Sequence, residues 1–400
     1  MQHDIAEKGA SLIKRTLSDY AQYIFTKYPI ITVTGPRQSG KTTLAMQAFP
    51  NKPYANLENP VVRQFAIEDP IGFLNQYPQG AVLDEIQRAP ELLSYLQVIV
   101  DEKKENSLFI LTGSRQFELM EKVSQSLAGR TALLKLLPFT IKELETYKVK
   151  SLDEIIFKGF YPRIYDQDIP PRQAYGDYFE TYIERDLRRL VNIKNLSLFQ
   201  RFVTLCAGRT GQLLNLSNLA DDTGISHSTA REWITVLQAS YIVYLLPPFY
   251  RNIKKRLVKS PKLYFYDVGL ACWLCGIENI THVKNHPLRG HLFENMAVIE
   301  ALKYRYNLGK RDNLNFFRDS SGNEIDLVYT ISHNLLPIEI KSGQTITSDY
   351  FKGLKKFKKF FPDLPYGQLI IYAGYTTQNR TDVKVITVNR FSELLETIDP

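Results

Sequence analysis

An eight-residue segment near the start of the chain limits its fold more than any other feature. Residues 35–42 read Gly-Pro-Arg-Gln-Ser-Gly-Lys-Thr, which is a complete G-x-x-x-x-G-K-[ST] phosphate-binding loop. An apolar, β-branched run precedes it at residues 30–34, and residues 43–46 can continue into a helix. A strand, a glycine-rich loop and a helix N-terminus in this order direct backbone N–H groups towards phosphate oxygens. The sequence therefore predicts an α/β domain with a parallel sheet around a nucleotide-binding loop.

The loop also predicts the cofactors, which are ATP and Mg²⁺. Lys41 is expected to reach the β- and γ-phosphates, and the Thr42 hydroxyl is expected to hold Mg²⁺. The predicted ATP-binding residues are Gly35, Pro36, Arg37, Gln38, Ser39, Gly40, Lys41, Thr42 and Thr43.

Two later strand-like runs supply the other polar groups that an ATP-hydrolysing site needs. Residues 80–83 are apolar or small and end in Asp84 and Glu85, at the strand end where α/β sheets bind ligands. Asp84 is expected in the Mg²⁺ shell, and Glu85 is expected to orient and deprotonate the attacking water. The run at residues 108–111 is followed by Thr112 and Ser114, either of which is a candidate to contact the γ-phosphate or the water.

Composition narrows the class of protein without fixing a partner. The chain has 400 residues, 44% of them hydrophobic, which is enough for two or three domains. Its formal net charge of +8 is compatible with a polyanionic partner but does not require one. The 3 cysteines give no disulfide framework, no apolar run reaches the length of a membrane span, and the N-terminus lacks a signal-peptide core. We therefore expect a cytoplasmic protein with no membrane segment.

Four segments can be distinguished along the chain. Strand-like and helical runs alternate from about residue 28 to 140, which is typical of a parallel sheet, and the pattern then becomes helical and aromatic. The predicted segments are an ATPase domain (1–150), a helical connector (151–210), a winged-helix-like module (211–260) and a C-terminal α/β domain (261–400).

The third segment has the pattern of a helix–turn–helix followed by a strand. Gly224 supplies the tight turn, a second helix begins near Ser226, and the basic stretch 250–256 would form a wing. Contact with DNA and a helical hairpin used for protein contacts both remain open.

Two alternating segments near the C-terminus predict a second site. If residues 323–329 and 337–341 form paired strands, Asp326, Glu339 and Lys341 can share one face. Asp326 and Glu339 can hold Mg²⁺, with Glu294 as a further ligand, while Glu339 and Lys341 can serve catalysis at a phosphodiester. The alternative is a solvated face with a local ion pair. A lysine-rich amphipathic stretch, 351–360, follows and is a candidate to contact a nucleic-acid backbone.

Nearly the whole chain resembles one family. Its motifs occur here in order as GPRQSGKTTL, AVLDEIQ, LTGSRQF, SLAGR with LLPFT, GFYP, YIERDL, GHLFENMAVIEAL, NEIDLV and IEIKSG. This series resembles the bacterial and archaeal ATPases that join an AAA-type domain to a C-terminal DUF4143 domain.

The resemblance implies an AAA+ core, a winged-helix-like middle and a C-terminal fold similar to PD-(D/E)xK restriction-endonuclease-like domains. It also implies that Arg130, in the family's Gly-Arg position, is an arginine finger or sensor. The nuclease-like pattern matches Glu294, Asp326, Glu339 and Lys341.

Three functions follow as hypotheses. The first is an ATP-hydrolysing AAA+-like protein that acts on or near DNA, with a homo-oligomer as one form of assembly. The second is a nuclease whose metal site is gated by ATP. The third is a nucleotide-switched interaction protein in which the nuclease-like domain is only a binding platform.

Overall fold

The structure is a computed structural model of the chain. It describes residues 13–113, 123, 126–147, 149–187, 193, 195–249 and 259–400.

The nucleotide-binding loop belongs to a five-stranded parallel sheet with the strand order β2-β3-β4-β1-β5. Its strands are β1 (Ile30–Thr34), β2 (Tyr54–Asn56), β3 (Val82–Asp84), β4 (Phe109–Gly113) and β5 (Thr131–Lys135). The central strand β1 is apolar and β-branched because both of its faces are buried. The parallel sheet that the sequence predicts is therefore present.

Helices cover both faces of this sheet. The helices of this region are α1 (Leu17–Phe25), α2 (Lys41–Ala48), α3 (Pro60–Glu68), α4 (Pro70–Asn75), α5 (Leu92–Lys103) and α6 (Ile141–Leu144), with 3₁₀ turns at Ile86–Arg88 and Glu145–Tyr147; α6 packs in the core of the middle of the chain instead of on the sheet. Leu17 and Leu44 bring α1 and α2 against one face, whereas Leu92 and Leu96 bring α5 against the other. All parallel strands end at the same edge, so the side chains that follow them lie close together.

The middle of the chain is mainly helical and contains a small antiparallel sheet of order β6-β8-β7. Its helices are α7 (Leu152–Lys158), α8 (Pro162–Asp166), α9 (Pro171–Tyr178), α10 (Leu196–Ala207), α11 (Leu216–Thr223), α12 (His227–Ala239), α13 (Val268–Leu274) and α14 (Ile280–Asn285). Phe179–Leu187 continues α9 as a π-helix. The strands are β6 (Gln212–Leu213), β7 (Val243–Leu246) and β8 (Lys262–Phe265).

The expected helix–turn–helix is formed by α11 and α12. Gly224 ends α11 in the left-handed conformation, at φ 84°, and the Ser226 side chain caps α12 by accepting from the Thr229 N–H. Trp233 and Leu237 face the core, and Arg231 and Thr235 are exposed on the outer face of α12. The predicted wing at 250–256 lies outside the described residues.

The C-terminal domain contains a mixed sheet of order β13-β14-β12-β11-β10-β9. Its strands are β9 (Leu314–Arg318), β10 (Glu324–Ile331), β11 (Asn334–Lys341), β12 (Gln368–Tyr372), β13 (Gln378–Asn379) and β14 (Val383–Thr387). The helices are α15 (Arg289–Asn307), α16 (Lys352–Phe360) and α17 (Phe391–Ile398), with 3₁₀ turns at Ser348–Phe351 and Val388–Arg390. The fold class is thus a P-loop α/β domain, a helical middle and a C-terminal α/β domain, as predicted.

One hydrophobic core joins the middle of the chain to the C-terminal domain. Buried residues from Leu137 to Leu395 form a single cluster, and α15 runs through it with most of its residues buried. Within the described part of the chain, no helix is both long enough and apolar enough to cross a membrane.

Candidate functional site

The predicted phosphate-binding loop forms a tight turn between β1 and α2. Gly35, at φ 148°, passes so close to the next strand that an added Cβ would lie 2.1 Å from the Leu136 carbonyl oxygen. Gly40, at φ 89°, is the N-cap of α2 and adopts a conformation that other residues rarely take. The sequence forms this turn because glycine stands where an added side chain would clash, at Gly35, and where it would be strained by the left-handed backbone, at Gly40.

Lys41 is buried at the start of α2 and points back into the loop. Its Nζ donates to the carbonyl oxygen of Pro36 at 2.7 Å and to that of Gly35 at 3.2 Å. Burial lowers the pKa of Lys41 to about 8, although the carboxylates of Glu85 and Asp84 oppose this shift. A cation held inside a loop of this shape is placed to pair with phosphate oxygens.

Asp84, at the end of β3, lies at the centre of a hydrogen-bond network at the mouth of the loop. The Thr42 hydroxyl donates to its two carboxylate oxygens at 3.0 Å each, and the Tyr54 hydroxyl donates to Oδ2 at 2.8 Å. The Thr112 hydroxyl, at the end of β4, also donates to Asp84. Burial and the Asp84 carboxylate raise the pKa of Tyr54, so this phenol remains a neutral donor. The Thr42 hydroxyl and the Asp84 carboxylate are oxygen donors that suit Mg²⁺.

Glu85 takes an unusual backbone conformation beside this network. Its φ is 57°, which for a residue with a side chain costs on the order of 1 kcal/mol. Its N–H donates to Thr112 Oγ1 at 3.2 Å, and the Gln87 amide donates to its carboxylate. The Glu85 side chain lines the cavity beside the loop. Ser114, the other residue predicted for this position, lies outside the described residues.

A cavity of about 430 Å³ opens beside the loop, and the middle of the chain forms one of its walls. The predicted loop residues that line it are Arg37, Gln38, Gly40, Lys41, Thr42 and Thr43. Gly35 and Pro36 contribute the carbonyl groups that Lys41 binds, and the Ser39 side chain is buried below the turn. The Arg37 guanidinium stacks on the Tyr182 ring of the π-helix, with 5.0 Å from Cζ to the ring centroid. All nine predicted ATP-binding residues therefore belong to this cavity or to the turn beneath it.

The opposite wall is α8, which sequence reasoning did not assign to the site. Pro162, Arg163, Asp166 and Gln167 line the cavity from this helix. The helix is positioned by Asp267, whose Oδ2 accepts from the Phe160 N–H at 2.8 Å. The signal was present in the GFYP motif at residues 159–162, but nothing in the sequence indicates which strand end that motif approaches.

Arg130 is not part of this site within its own chain. It precedes β5, and its carbonyl accepts from the Ile30 N–H at the beginning of β1, so it lies at the opposite edge of the sheet from the loop. Its side chain is paired with Asp101. The Arg130 side chain is thus far from the loop of its own chain, because parallel strands separate their two ends by their full length.

The structure brings the four predicted C-terminal residues together. Asp326 and Glu339 face each other across the antiparallel pair β10–β11. Lys341 Nζ donates to Asp326 Oδ2 at 3.1 Å and lies 2.6 Å from Glu339 Oε2. Glu294 reaches the same cluster from α15. Asp326, Glu339 and Lys341 converge because period-two alternation places them on one face of the sheet, and α15 brings Glu294 to that face.

The metal site predicted from Glu294, Asp326 and Glu339 stays a prediction, and the cations of the cluster bear on it. Among the residues that the structure describes, no three acidic, histidine or cysteine side chains are arranged to hold a metal ion. The reason is that ammonium groups lie between the carboxylates: Lys341 binds Asp326 and Glu339, and Lys262 binds Glu294. Burial raises the pKa of both Glu294 and Glu339, whereas Lys341 and Lys262 lower the pKa of Asp326 against the opposing effect of burial.

Lys262 was missed because it comes from β8, far from the motif in sequence. Its side chain is 3% exposed at the first position of a strand whose four residues are all buried. A lysine that opens an otherwise apolar strand is a signal for a buried partner, but the sequence does not identify that partner.

Comparison with known proteins agrees with this arrangement. Family profiles match an AAA domain at residues 27–145, a domain of unknown function (DUF8612) at 149–281 and another (DUF4143) at 289–391. The loop and the Asp84 network define an AAA-type ATPase domain, and the chain belongs to the family of ATPases that carry a C-terminal DUF4143 domain.

The relatives include "Uncharacterized protein Rv2008c" of Mycobacterium tuberculosis, which is 31% identical over 351 residues, covering 86% of this chain and 77% of the relative. An "Uncharacterized protein" of Haemophilus influenzae is 21% identical over 350 residues, covering 78% of this chain and 82% of the relative.

Among solved structures, the Walker-type ATPase PABY2304 of Pyrococcus abyssi aligns with a TM-score of 0.44 at 15% identity, covering 64% of this chain and 94% of that one. The replication initiator DnaA bound to AMPPCP and single-stranded DNA aligns with a TM-score of 0.30 at 14% identity, covering 56% and 86%.

Proposed function

We propose that this protein hydrolyses ATP and acts on or near DNA, with the nucleotide state changing how the helical middle packs against the phosphate-binding loop. The observation that carries the proposal is the cavity of about 430 Å³ that the loop and α8 line together. One wall of the cavity is the phosphate-binding loop and another is α8. Binding and loss of the γ-phosphate would therefore change the contacts between the loop and α8.

Five residues at or beside this cavity have proposed roles. Lys41 and the loop N–H groups bind the phosphates, and Arg163 adds a second cation from the opposite wall. Thr42 and Asp84 would hold Mg²⁺, which when bound neutralises phosphate charge. Glu85 orients the attacking water and accepts its proton. Such a protein requires a compartment that contains ATP, and we place it in the cytoplasm.

Two exposed surfaces support an action on DNA. The outer face of α16 carries exposed lysines, because Leu354 and Phe357 occupy its buried face; these lysines are Lys352, Lys355, Lys356 and Lys359. The outer face of α12 carries exposed Arg231 and Thr235 in a helix–turn–helix setting. Lysines spaced along one helix face can neutralise successive phosphates without reading sequence.

The deciding experiment measures ATP turnover by phosphate release, alone and with single- or double-stranded DNA. We expect turnover that depends on Glu85 and increases in the presence of one form of DNA. The Glu85→Gln protein is the matched control, since it keeps the shape of the site and loses the base. Turnover that persists in Glu85→Gln would refute the site, and turnover insensitive to both forms of DNA would refute the DNA role.

A second function is favoured by the C-terminal cluster: a nucleotide-switched interaction protein whose nuclease-like domain is catalytically inactive. The supporting observation is that Lys262 and Lys341 already pair with the carboxylates that would bind Mg²⁺. Gel analysis of DNA and RNA incubated with Mg²⁺ or Mn²⁺ separates the two functions. Cleavage that Asp326→Ala abolishes would establish a nuclease, and intact nucleic acid would support the interaction role.

A further inference from the structure

The Lys262 ammonium lies inside a group of three carboxylates. Its Nζ is 2.8 Å from Glu294 Oε1, 2.5 Å from Glu324 Oε1 and 4.0 Å from Asp326 Oδ1. The side chain is almost fully buried, and the Tyr264 hydroxyl also donates to Glu294 Oε1, at 2.6 Å. A single positive charge therefore occupies the centre of a group of oxygens that comes from α15 and β10.

These oxygens are the ligands that a divalent cation would use. Mg²⁺ and Mn²⁺ bind carboxylate oxygens at short distances and exclude other cations from the same space. An ammonium within hydrogen-bond distance of Glu294 and Glu324 takes up that space and neutralises the same charge. A divalent ion placed here would be repelled by Lys262 at close range in a poorly solvated site.

The remaining carboxylate groups of the cluster also have cationic partners. Lys341 pairs with Asp326 and Glu339, and the Arg318 guanidinium lies 3.2 Å from Glu324 Oε2. The Ile340 N–H donates to Asp326 Oδ2 at 2.8 Å. The cluster is thus internally compensated by protein groups, in the way that buried charges require.

We propose that Lys262 is the resident cation of this cluster: it takes the place of a divalent metal and links β8 of the middle sheet to α15 and β10 of the C-terminal domain. The nuclease-like residues then form an ion-paired junction between two parts of the chain, and the domain needs no metal at this position. This inference is independent of the ATPase site, which lies at the end of a different sheet.

The test is a titration of the whole, nucleotide-free chain with Mn²⁺. Electron paramagnetic resonance measures how much of the added ion remains free. We expect no binding by the natural chain that depends on Glu294 or Asp326. Lys262→Ala should bind Mn²⁺ at the vacated position, and adding Glu294→Gln should weaken that binding about tenfold or more. Lys259→Ala, which removes an exposed lysine three positions earlier, is the control and should behave as the natural chain.

Thermal unfolding supplies a second readout. The melting temperature should fall in Lys262→Ala and not in Lys259→Ala, and Mn²⁺ should raise it only in Lys262→Ala. Mn²⁺ binding by the natural chain that Glu294→Gln or Asp326→Asn removes would overturn the proposal, whether or not the Lys262 variant folds. A folded Lys262→Ala protein that binds no Mn²⁺, or that melts like the natural chain, would also overturn it.

Discussion

Arg130 binds Asp101 through two parallel hydrogen bonds, 2.6 Å from Nε to Oδ1 and 2.7 Å from Nη2 to Oδ2. Asp101 belongs to α5, and Arg130 directly precedes β5 at the edge of the sheet where the strands begin. The phosphate-binding loop follows the other end of β1, a strand length of roughly 15 Å away. If Arg130 contacts a nucleotide at all, that nucleotide is bound by another copy of the chain.

Arg130→Ala is expected to leave ATP affinity unchanged and to lower turnover only where copies of the chain assemble. In phosphoryl transfer, an arginine that stabilises the charge of the transition state from another subunit raises turnover about 10³-fold or more. In a mixture of Arg130→Ala and Glu85→Gln proteins, one subunit supplies the base and the other the arginine, so activity should partly return. Phosphate release by the mixture is measured beside light scattering. Assembled mixtures that remain inactive would exclude the role between subunits, and Arg130 would then serve only as a partner of Asp101.

Lys41→Ala and Glu85→Gln should separate binding from chemistry. Loss of the Lys41 ammonium removes the buried cation of the loop, so nucleotide binding should be lost. Glu85→Gln should retain ATP and slow its hydrolysis by about 10²-fold or more, because the amide cannot accept a proton. A fluorescent-nucleotide titration is compared with phosphate release. Lys27→Ala, at an exposed position on the same domain, is the control. Equal loss of binding in all three proteins would point to unfolding rather than to the site.

Arg163→Ala tests the wall that α8 contributes. Arg163 is exposed at the cavity, where its Nε donates to Gln167 Oε1 at 2.9 Å. If Arg163 pairs with the ATP phosphates, the Arg163→Ala protein should bind ATP about tenfold more weakly, because it lacks one charge-assisted hydrogen bond. Arg163→Lys should restore part of the affinity, whereas Arg172→Ala, at a well-exposed position in α9, should have no effect. Isothermal titration with a non-hydrolysable ATP analogue measures all three. Unchanged affinity in Arg163→Ala would limit α8 to a steric wall.

How much of the site could be predicted depends on how local its determinants are. The loop and the Asp84–Glu85 pair could be predicted because a few neighbouring residues encode the strands and turns that form them. Asp326 and Glu339 could be predicted because side chains alternate between the two faces of a strand. Arg163 and Lys262 could not be placed, because each acts on an element that is distant in sequence: Arg163 faces the phosphate-binding loop, and Lys262 binds Glu294 and Glu324. The carboxylates and Lys341 are visible as a motif, but Lys262, which pairs with Glu294 and Glu324, lies in a different part of the sequence.

DNA binding should depend strongly on salt and weakly on sequence. A plot of log affinity against log salt has a negative slope. Changing Lys355 and Lys359 to Gln should reduce the magnitude of this slope by about 2, or about 1 for each phosphate that the variant no longer neutralises. Fluorescence anisotropy at several salt concentrations gives this slope. The same change at Lys27 and Lys104, two exposed lysines of the ATPase domain, should leave the slope unchanged. Equal slopes for both double variants would assign DNA binding to another surface, and absence of binding at low salt would favour the interaction role.

Lys303 should make stability depend on pH in the alkaline range. Burial lowers its pKa to about 8, against the opposing effect of Glu300, while an unfolded lysine has a pKa of about 10.4. Between these values the unfolded chain binds more protons at this position, so stability relative to a variant without Lys303 rises with pH. The natural chain should gain on the order of 2 kcal/mol over Lys303→Met between pH 7.5 and 9.5.

Denaturant titrations at several pH values measure this difference. The double variant Glu300→Gln, Lys303→Met is the control, because it removes the buried carboxylate that Lys303 faces at 3.7 Å. The difference between the natural chain and this double variant should still increase with pH. A difference that is constant across the range would show that the Lys303 charge is as well stabilised in the folded chain as in water.

Helix α15 limits how the chain can be divided. Its Glu300 accepts from the Ile141 N–H at 2.9 Å, its Lys303 donates to the Phe139 carbonyl at 2.6 Å, and its Asn295 exchanges two hydrogen bonds with the Phe265 backbone of β8. The boundary between the two C-terminal family regions falls at residues 281–289, just before this helix begins. A fragment that stops at this boundary would leave buried backbone groups of the ATPase domain and of the middle sheet without partners. The family boundaries thus divide the sequence at a point where the two sides remain packed together, and the ATP-binding region depends for its own integrity on a helix of the C-terminal domain.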